Sequence, residues 1–218
     1  MAEPPSAPRT TPLSPQAAVA VAGHRHQRAT ILAATVDPDP TVRAVAVGAL
    51  RRAGLLDSTR LEAALADPDP RVRRRACEEA AAAPAGPAAR HLVERLTDPD
   101  PSVVEAACFA LGELGPTATA DTGPRRPAAV ALSAVATGHD DPLCREAAVA
   151  ALGAIGDSEG LAAILAATGD RPAVRRRAVL ALAPFEGPAV DAALAAALHD
   201  RDWQVRQAAE DLSGPAAT

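Results

Sequence analysis

Apolar and polar positions along this chain recur in one phrase about every thirty residues. A turn of Asp and Pro opens the phrase, an apolar anchor follows, and further apolar residues stand four, five and eight positions on. The clearest openings are Asp37-Pro-Asp-Pro-Thr-Val42, Asp67-Pro-Asp-Pro-Arg-Val72 and Asp98-Pro-Asp-Pro-Ser-Val103. Looser copies follow at Asp141-Pro-Leu-Cys-Arg145, Arg171-Pro-Ala-Val-Arg175 and Asp202-Trp-Gln-Val-Arg206. The anchors Val42, Val72, Val103, Cys144, Val174 and Val205 are separated by 30, 31, 41, 30 and 31 residues. Self-similarity at a fixed period of this length is the mark of a repeat array.

The spacing i, i+4, i+5, i+8 describes one face of an α-helix. Four residues after the anchors stand Ala46, Ala76, Ala107, Ala148, Ala178 and Ala209. Eight residues after them stand Leu50, Ala80, Leu111, Leu152, Leu182 and, in the last copy, Ser213. That fading suits a terminal repeat with a wet outer face. In Asp39-Pro40, Asp69-Pro70, Asp100-Pro101 and Asp141-Pro142 the Asp oxygen can cap free N–H groups, and Pro at the first helical position loses no bond. Gly54, Gly115, Gly156 and Gly214 stand where these helices should stop. Before the Asp-Pro turns lie second amphipathic stretches over 58–66, 87–97, 157–168 and 188–199. The pattern therefore predicts an all-α chain of about six two-helix units.

Two segments fall outside the pattern. Residues 1–15 are rich in Pro, Ser and Thr and read as a disordered tail. Residues 115–127 carry the extra length between the third and fourth copies and read as an insertion loop, with a hinge between two three-repeat halves as the alternative. The repeat domain spans 16–214, and 215–218 form a short C-terminal tail.

Composition narrows the picture further. Hydrophobic residues make up 48% of the chain but aromatics only 1%, namely Phe109, Phe185 and Trp203. The core must therefore be built from Ala, Leu and Val in thin layers. All 22 basic residues are Arg, a usage that fits a high-GC bacterial genome, so an Arg here is not by itself a functional signal. A net charge of −5 argues against a general nucleic-acid binder. No apolar run is long enough to span a membrane. The N-terminal residues lack the basic-then-apolar order of a secretory signal, and a cytoplasmic location is expected. Three Cys make no disulfide framework.

Asp-Pro-Asp-Pro-x-Val-Arg-x-x-Ala, followed by Ala110-Leu-Gly-Glu-Leu-Gly115 and Ala151-Leu-Gly-Ala-Ile-Gly156, resembles the short HEAT-like repeats often called PBS-lyase-type. The resemblance covers roughly residues 25–214. It implies a right-handed α-α superhelical solenoid of the armadillo-like kind. It further implies a structural ladder in which a turn Asp and an Arg early in the second helix link neighbouring units. By matching position, the Asp members are Asp37, Asp67, Asp98, Asp140, Asp170 and Asp200. The Arg members are Arg43, Arg73, Arg145, Arg175 and Arg206, and Val104 leaves one rung missing.

Candidate chemistry is sparse. Members of this repeat group that are di-iron hydroxylases carry His-Glu pairs, and none of His24, His26, His91, His139 and His199 is followed by Glu. Cys77 and Cys108 share one core register and read as buried thiols, as does Cys144. The sequence points to no catalytic residue, metal or cofactor.

What remains is surface. In this architecture the second helices line the concave side, where extended partners bind. Removing the core positions leaves an inner stripe of Arg74, Arg75, Glu78, Glu105, Phe109, Glu113, Glu146, Arg176, Arg177, Leu180 and Gln207. Phe109 lies off the core face, either exposed as a binding anchor or packed under the insertion. Trp203 reads as a cover for the C-terminal end of the stack. The expectation is a monomeric, non-catalytic scaffold that binds a protein or peptide partner. The alternatives are an enzyme or enzyme subunit of the PBS-lyase or deoxyhypusine-hydroxylase-like group and, less favoured by the charge, a nucleic-acid binder.

Overall fold

The computed structural model describes residues 13–81, 88–115 and 125–213, and the chain divides into two compact units, 1–56 and 57–218. Unit 1 holds α1 (Pro15–His24), α2 (Arg28–Ala34) and α3 (Pro40–Arg52). Unit 2 holds α4 (Ser58–Leu65), α5 (Pro70–Ala80), α6 (Ala88–Arg95), α7 (Pro101–Leu114), α8 (Arg125–Gly138), α9 (Pro142–Ile155), α10 (Leu161–Ala167), α11 (Pro172–Ala181), α12 (Pro188–Ala197) and α13 (Trp203–Ser213). A 3-10 turn, Ser158–Gly160, leads into α10, and no strand occurs among the described residues. The segments 1–12, 82–87, 116–124 and 214–218 lie outside them, and with these most of the expected tails and insertion, the first residue of the expected 87–97 stretch, and Gly214. At the edges of those segments Gly115 caps α7 and Arg125 opens α8.

In unit 2 the pairs α4/α5, α6/α7, α8/α9, α10/α11 and α12/α13 are the second to sixth repeats. The second helices pack in order, α5 on α7, α7 on α9, α9 on α11 and α11 on α13, and the first helices α4 to α12 form a parallel layer. The unit is an all-α two-layer solenoid. In unit 1 the first repeat is α2/α3, and α1 packs on α3 as a second helix without a first. Ser14 caps α1 by accepting the Ala17 N–H at 3.2 Å, and Pro15 occupies the first helical position. A Cβ on Gly23 of α1 would stand 2.9 Å from the Cα of Ala49, so glycine permits this approach.

The same approach recurs in unit 2. A Cβ on Gly112 would lie 3.1 Å from the Cα of Ala151, and one on Gly153 only 2.7 Å from that of Ala181. A core without aromatics is filled by bringing backbones together. All six anchors and the Ala residues four positions on are buried. In the last repeat the stripe ends on exposed Glu210 and Ser213.

The Asp-Pro-Asp-Pro turn has two carboxylates with separate tasks. The second caps the helix: Asp39, Asp69, Asp100 and Asp141 accept the N–H of Thr41, Arg71, Ser102 and Leu143 at 2.8 to 3.0 Å. The first accepts the N–H of the second, as Asp37, Asp67, Asp98 and Asp200 do from Asp39, Asp69, Asp100 and Asp202. Asp98, Asp170 and Asp200 also receive an Arg from the preceding repeat. Arg73 donates to Asp98 at 2.8 and 2.7 Å, Arg145 to Asp170 at 2.7 and 2.9 Å, and Arg175 to Asp200 at 2.9 and 2.7 Å. The remaining amino group of each Arg returns to its own turn, reaching the Asp67 and Pro68 carbonyls from Arg73 and the Asp170 carbonyl from Arg175. Arg43 and Arg206 bond their own turns in the same way, at Asp37, Pro38 and Asp200.

These pairs lie in the repeat junctions; the Asp98 side chain is only 2% exposed. Burial alone would push Asp98 up, but the Arg73 hydrogen bonds, the Asp100 N–H and the Arg73 charge hold it below the usual carboxylate range. Asp170 and Asp200 are held low chiefly by the bonds from Arg145 and Arg175.

The third junction differs, and it corrects one expected member of the ladder. Arg145 donates to the carbonyls of His139 and Asp140, as Arg73 does to Asp67 and Pro68. His139, not Asp140, therefore holds the first-Asp position, and its Nδ1 accepts the Asp141 N–H at 3.0 Å. Asp140 is exposed at the position of the turn Pro. Val104, fully buried, replaces the Arg. Both partners of this rung have changed, so neither a guanidinium nor a carboxylate is stranded. The Cys144 thiol instead donates to the Pro101 carbonyl across the junction at 3.3 Å.

Two outcomes follow for stability. Folded-state pKa values below the unfolded one give stabilisation that is complete above about pH 4 and fades as pH falls through the lower values. Asp170→Asn should lower the urea midpoint at pH 7, and its gap to wild type should close as the pH is brought below about 4. Val104→Arg and His139→Asp should each destabilise the chain by burying an unpaired charge. The double variant should recover about 1–3 kcal/mol of coupling in a double-mutant cycle.

Candidate functional site

The second helices of unit 2 carry three rows of residues beside their core stripe, at positions two, three and six after each anchor. In α7 and α9 these rows are Glu105, Ala106 and Phe109, and Glu146, Ala147 and Ala150. Neighbouring helices share a register, so the rows line up. Phe109 thus faces an alanine row and not a second large side chain. The result is an open groove of about 680 Å³ lined by Arg74, Glu78, Ser102, Glu105, Ala106, Phe109, Gly112, Glu113, Leu143, Glu146, Ala147, Ala150, Ala151, Ala154 and Arg177. It runs across α5, α7, α9 and α11. Its floor is methyl groups, and its walls are two exposed apolar side chains, Phe109 at 57% and Leu143 at 58%.

Charge is arranged from edge to centre. At one edge Arg74 pairs with Glu78 at 3.0 Å, and at the other Arg177 lies 3.6 Å from Glu146. Glu105 and Glu113 lie between them, exposed, and make no ion pair among the described residues. With four Glu against two Arg, the lining has a formal charge of −2.

The groove gathers seven residues of the sequence-derived stripe: Arg74, Glu78, Glu105, Phe109, Glu113, Glu146 and Arg177. Four stand apart from it. Arg75 pairs with Glu78 and Glu79, Arg176 is exposed elsewhere, Leu180 packs beside the α11/α13 core, and Gln207 donates to Asp211. Leu143 was missed because it precedes its anchor in the first turn of α9, outside the rows counted from the anchor. A large apolar residue at a position held elsewhere by Thr41, Arg71, Ser102, Ala173 and Gln204 was the available signal.

Other reactive side chains are placed elsewhere. Cys77, Cys108 and Cys144 are free and buried. Burial pushes the Cys77 thiol up to about 12 and the Cys144 thiol up to about 11, and raises Cys108 as well. Burial thus favours the thiol form at all three. His24 and His26 are exposed, and His91 meets Glu62 at 3.1 Å. Among the described residues no three His, Cys, Asp or Glu side chains converge as metal ligands, and no helix is long and apolar enough to cross a membrane. Trp203 does not cover the end of the stack: it is 64% exposed, at the first helical position, where Pro101 and Pro172 are exposed too.

The repeat geometry and the sequence agree on one class. The chain belongs to the HEAT-repeat family, whose model matches residues 58–122, 89–183 and 129–213. Solved structures share the fold. YibA from E. coli superposes with a TM-score of 0.64 at 15% identity, covering 92% of this chain and 75% of that one. An engineered protein gives 0.60 at 21% identity, covering 84% and 95%. The complex of CpcE and CpcF of phycocyanin lyase from Nostoc sp. PCC7120 gives 0.55 at 23% identity, covering 96% and 79%. No curated protein sequence matches this chain.

Because Phe109 stands on the groove wall, Phe109→Ala should change the urea midpoint little, by roughly 0.5 kcal/mol or less in stability. Leu111→Ala, two residues on but buried, should cost about 2–5 kcal/mol by the same measurement.

Proposed function

We propose that this protein is a non-catalytic, cytoplasmic scaffold that holds a segment of a protein partner in the groove across α5, α7, α9 and α11. The observation that carries the reading is an exposed aromatic and an exposed leucine standing over an alanine floor in one open groove. A lone exposed apolar residue is ordinary on a protein surface, but two that share a concave wall are what a partner's side chains bury. Aromatic anchors near the middle of such a surface carry much of the affinity. The ladder rungs on either side of the groove and the close backbone packing of α7 on α9 between them support the reading, since a preorganised surface pays little ordering cost when a partner arrives. The likeness to the CpcE–CpcF complex is one of fold, so the groove, not that likeness, supports the reading.

A photo-crosslinking amino acid at position 109 tests it in lysate of the source cells. One dominant protein adduct is expected there and not with the same amino acid at Val130, an exposed apolar position on α8. Equal adducts at both positions, or none at 109, would overturn the reading.

A further inference from the structure

We infer that the partner segment presents a basic side chain flanked by apolar ones, and that Glu105, Phe109 and Glu113 receive that cation; the inference rests on the groove reading above. The three residues stand at successive intervals of four along α7, so they lie on one helix face. At 1.5 Å of rise per residue the two carboxylates are about 12 Å apart along the axis, with the ring between them. An aromatic face attracts a guanidinium or ammonium group, and carboxylates at its borders accept that group's N–H donors.

The rest of the groove explains why the cation must come from outside. The arginines on its rim are already committed, Arg74 to Glu78 and Arg177 towards Glu146. Glu105 and Glu113 are left as the uncompensated pair in a lining whose formal charge is −2. Charge complementarity therefore selects a cation, while Leu143 and the alanine floor select apolar neighbours beside it. The span selects a polypeptide. Four second helices at about 8–10 Å spacing extend over roughly 24–30 Å, the length of about eight extended residues.

Selection of random peptides of about twelve residues, long enough for that span, on the full chain tests the inference. The binders expected are lost with Phe109→Ala, share one Arg or Lys between apolar residues, and weaken as salt rises. Their affinity should fall about ten-fold or more in the Glu105→Gln/Glu113→Gln double variant. It should stay unchanged in Glu210→Gln, on exposed surface of α13. Circular dichroism and urea midpoints equal to wild type verify that the variants remain folded. Peptides that need Phe109 but show no basic preference, or that ignore the double substitution, would overturn the cation site and leave the groove reading standing. An absence of any Phe109-dependent binder would overturn both.

Discussion

An arginine guanidinium offers five N–H donors in one plane, and in this fold the plane is used in two directions. One edge meets the carboxylate of the next repeat, while the remaining amino group ties down the turn that introduces its own helix. Burying a charge is costly unless its donors are satisfied, and here geometry satisfies them. The consequence reaches most of the array in unit 2. Arg73, Arg145 and Arg175 each hold their helix start to its own turn and to the next turn. Between α7 and α9, where Val104 leaves no rung, the close approach of Gly112 to Ala151 and the Cys144–Pro101 bond join the helices instead. Residues off the core stripe then fall into rows.

The groove is a product of those rows and of the small-residue core. Because Ala, Val and Leu fill the interior, the single Phe of α7 has no core position to occupy and is left on the wall over alanines. The charged rows behave likewise. Arginines at the edges find glutamates within hydrogen-bonding reach or just beyond it, and the α7 glutamates find no arginine among the described residues. Shape and field in the groove thus come from the same repeat, varied at a few positions.

Much of this was legible in the order of residues. The apolar anchors and the Asp-Pro caps locate the second helices, since capping and periodicity act locally. The first-layer helices were visible where Ser58 or Pro188 opened an amphipathic stretch. Helix α1 was not, because it has the Ser14-Pro15 cap but no partner helix and therefore no full period to match. The ladder position of His139 was hidden for a different reason. An imidazole nitrogen can accept the turn N–H in place of a carboxylate, so the residue type changed while the bond survived, and adjacent Asp140 offered a false match. Leu143 belonged to the groove through the packing of α9 on α7, which no count along one helix contains.

The altered third junction also bears on how a chain of near-copies folds without shuffling them. Arg73, brought against the turn of the fourth repeat, would face His139 and bury a guanidinium with no carboxylate. Val104, brought against the turn of the fifth, would leave Asp170 without its arginine. Stranding a charge in this way costs about 3–5 kcal/mol. The junction therefore acts as a key in the stack: among repeats that otherwise share their contacts, it admits the third beside the fourth and rejects the mis-threaded alternatives.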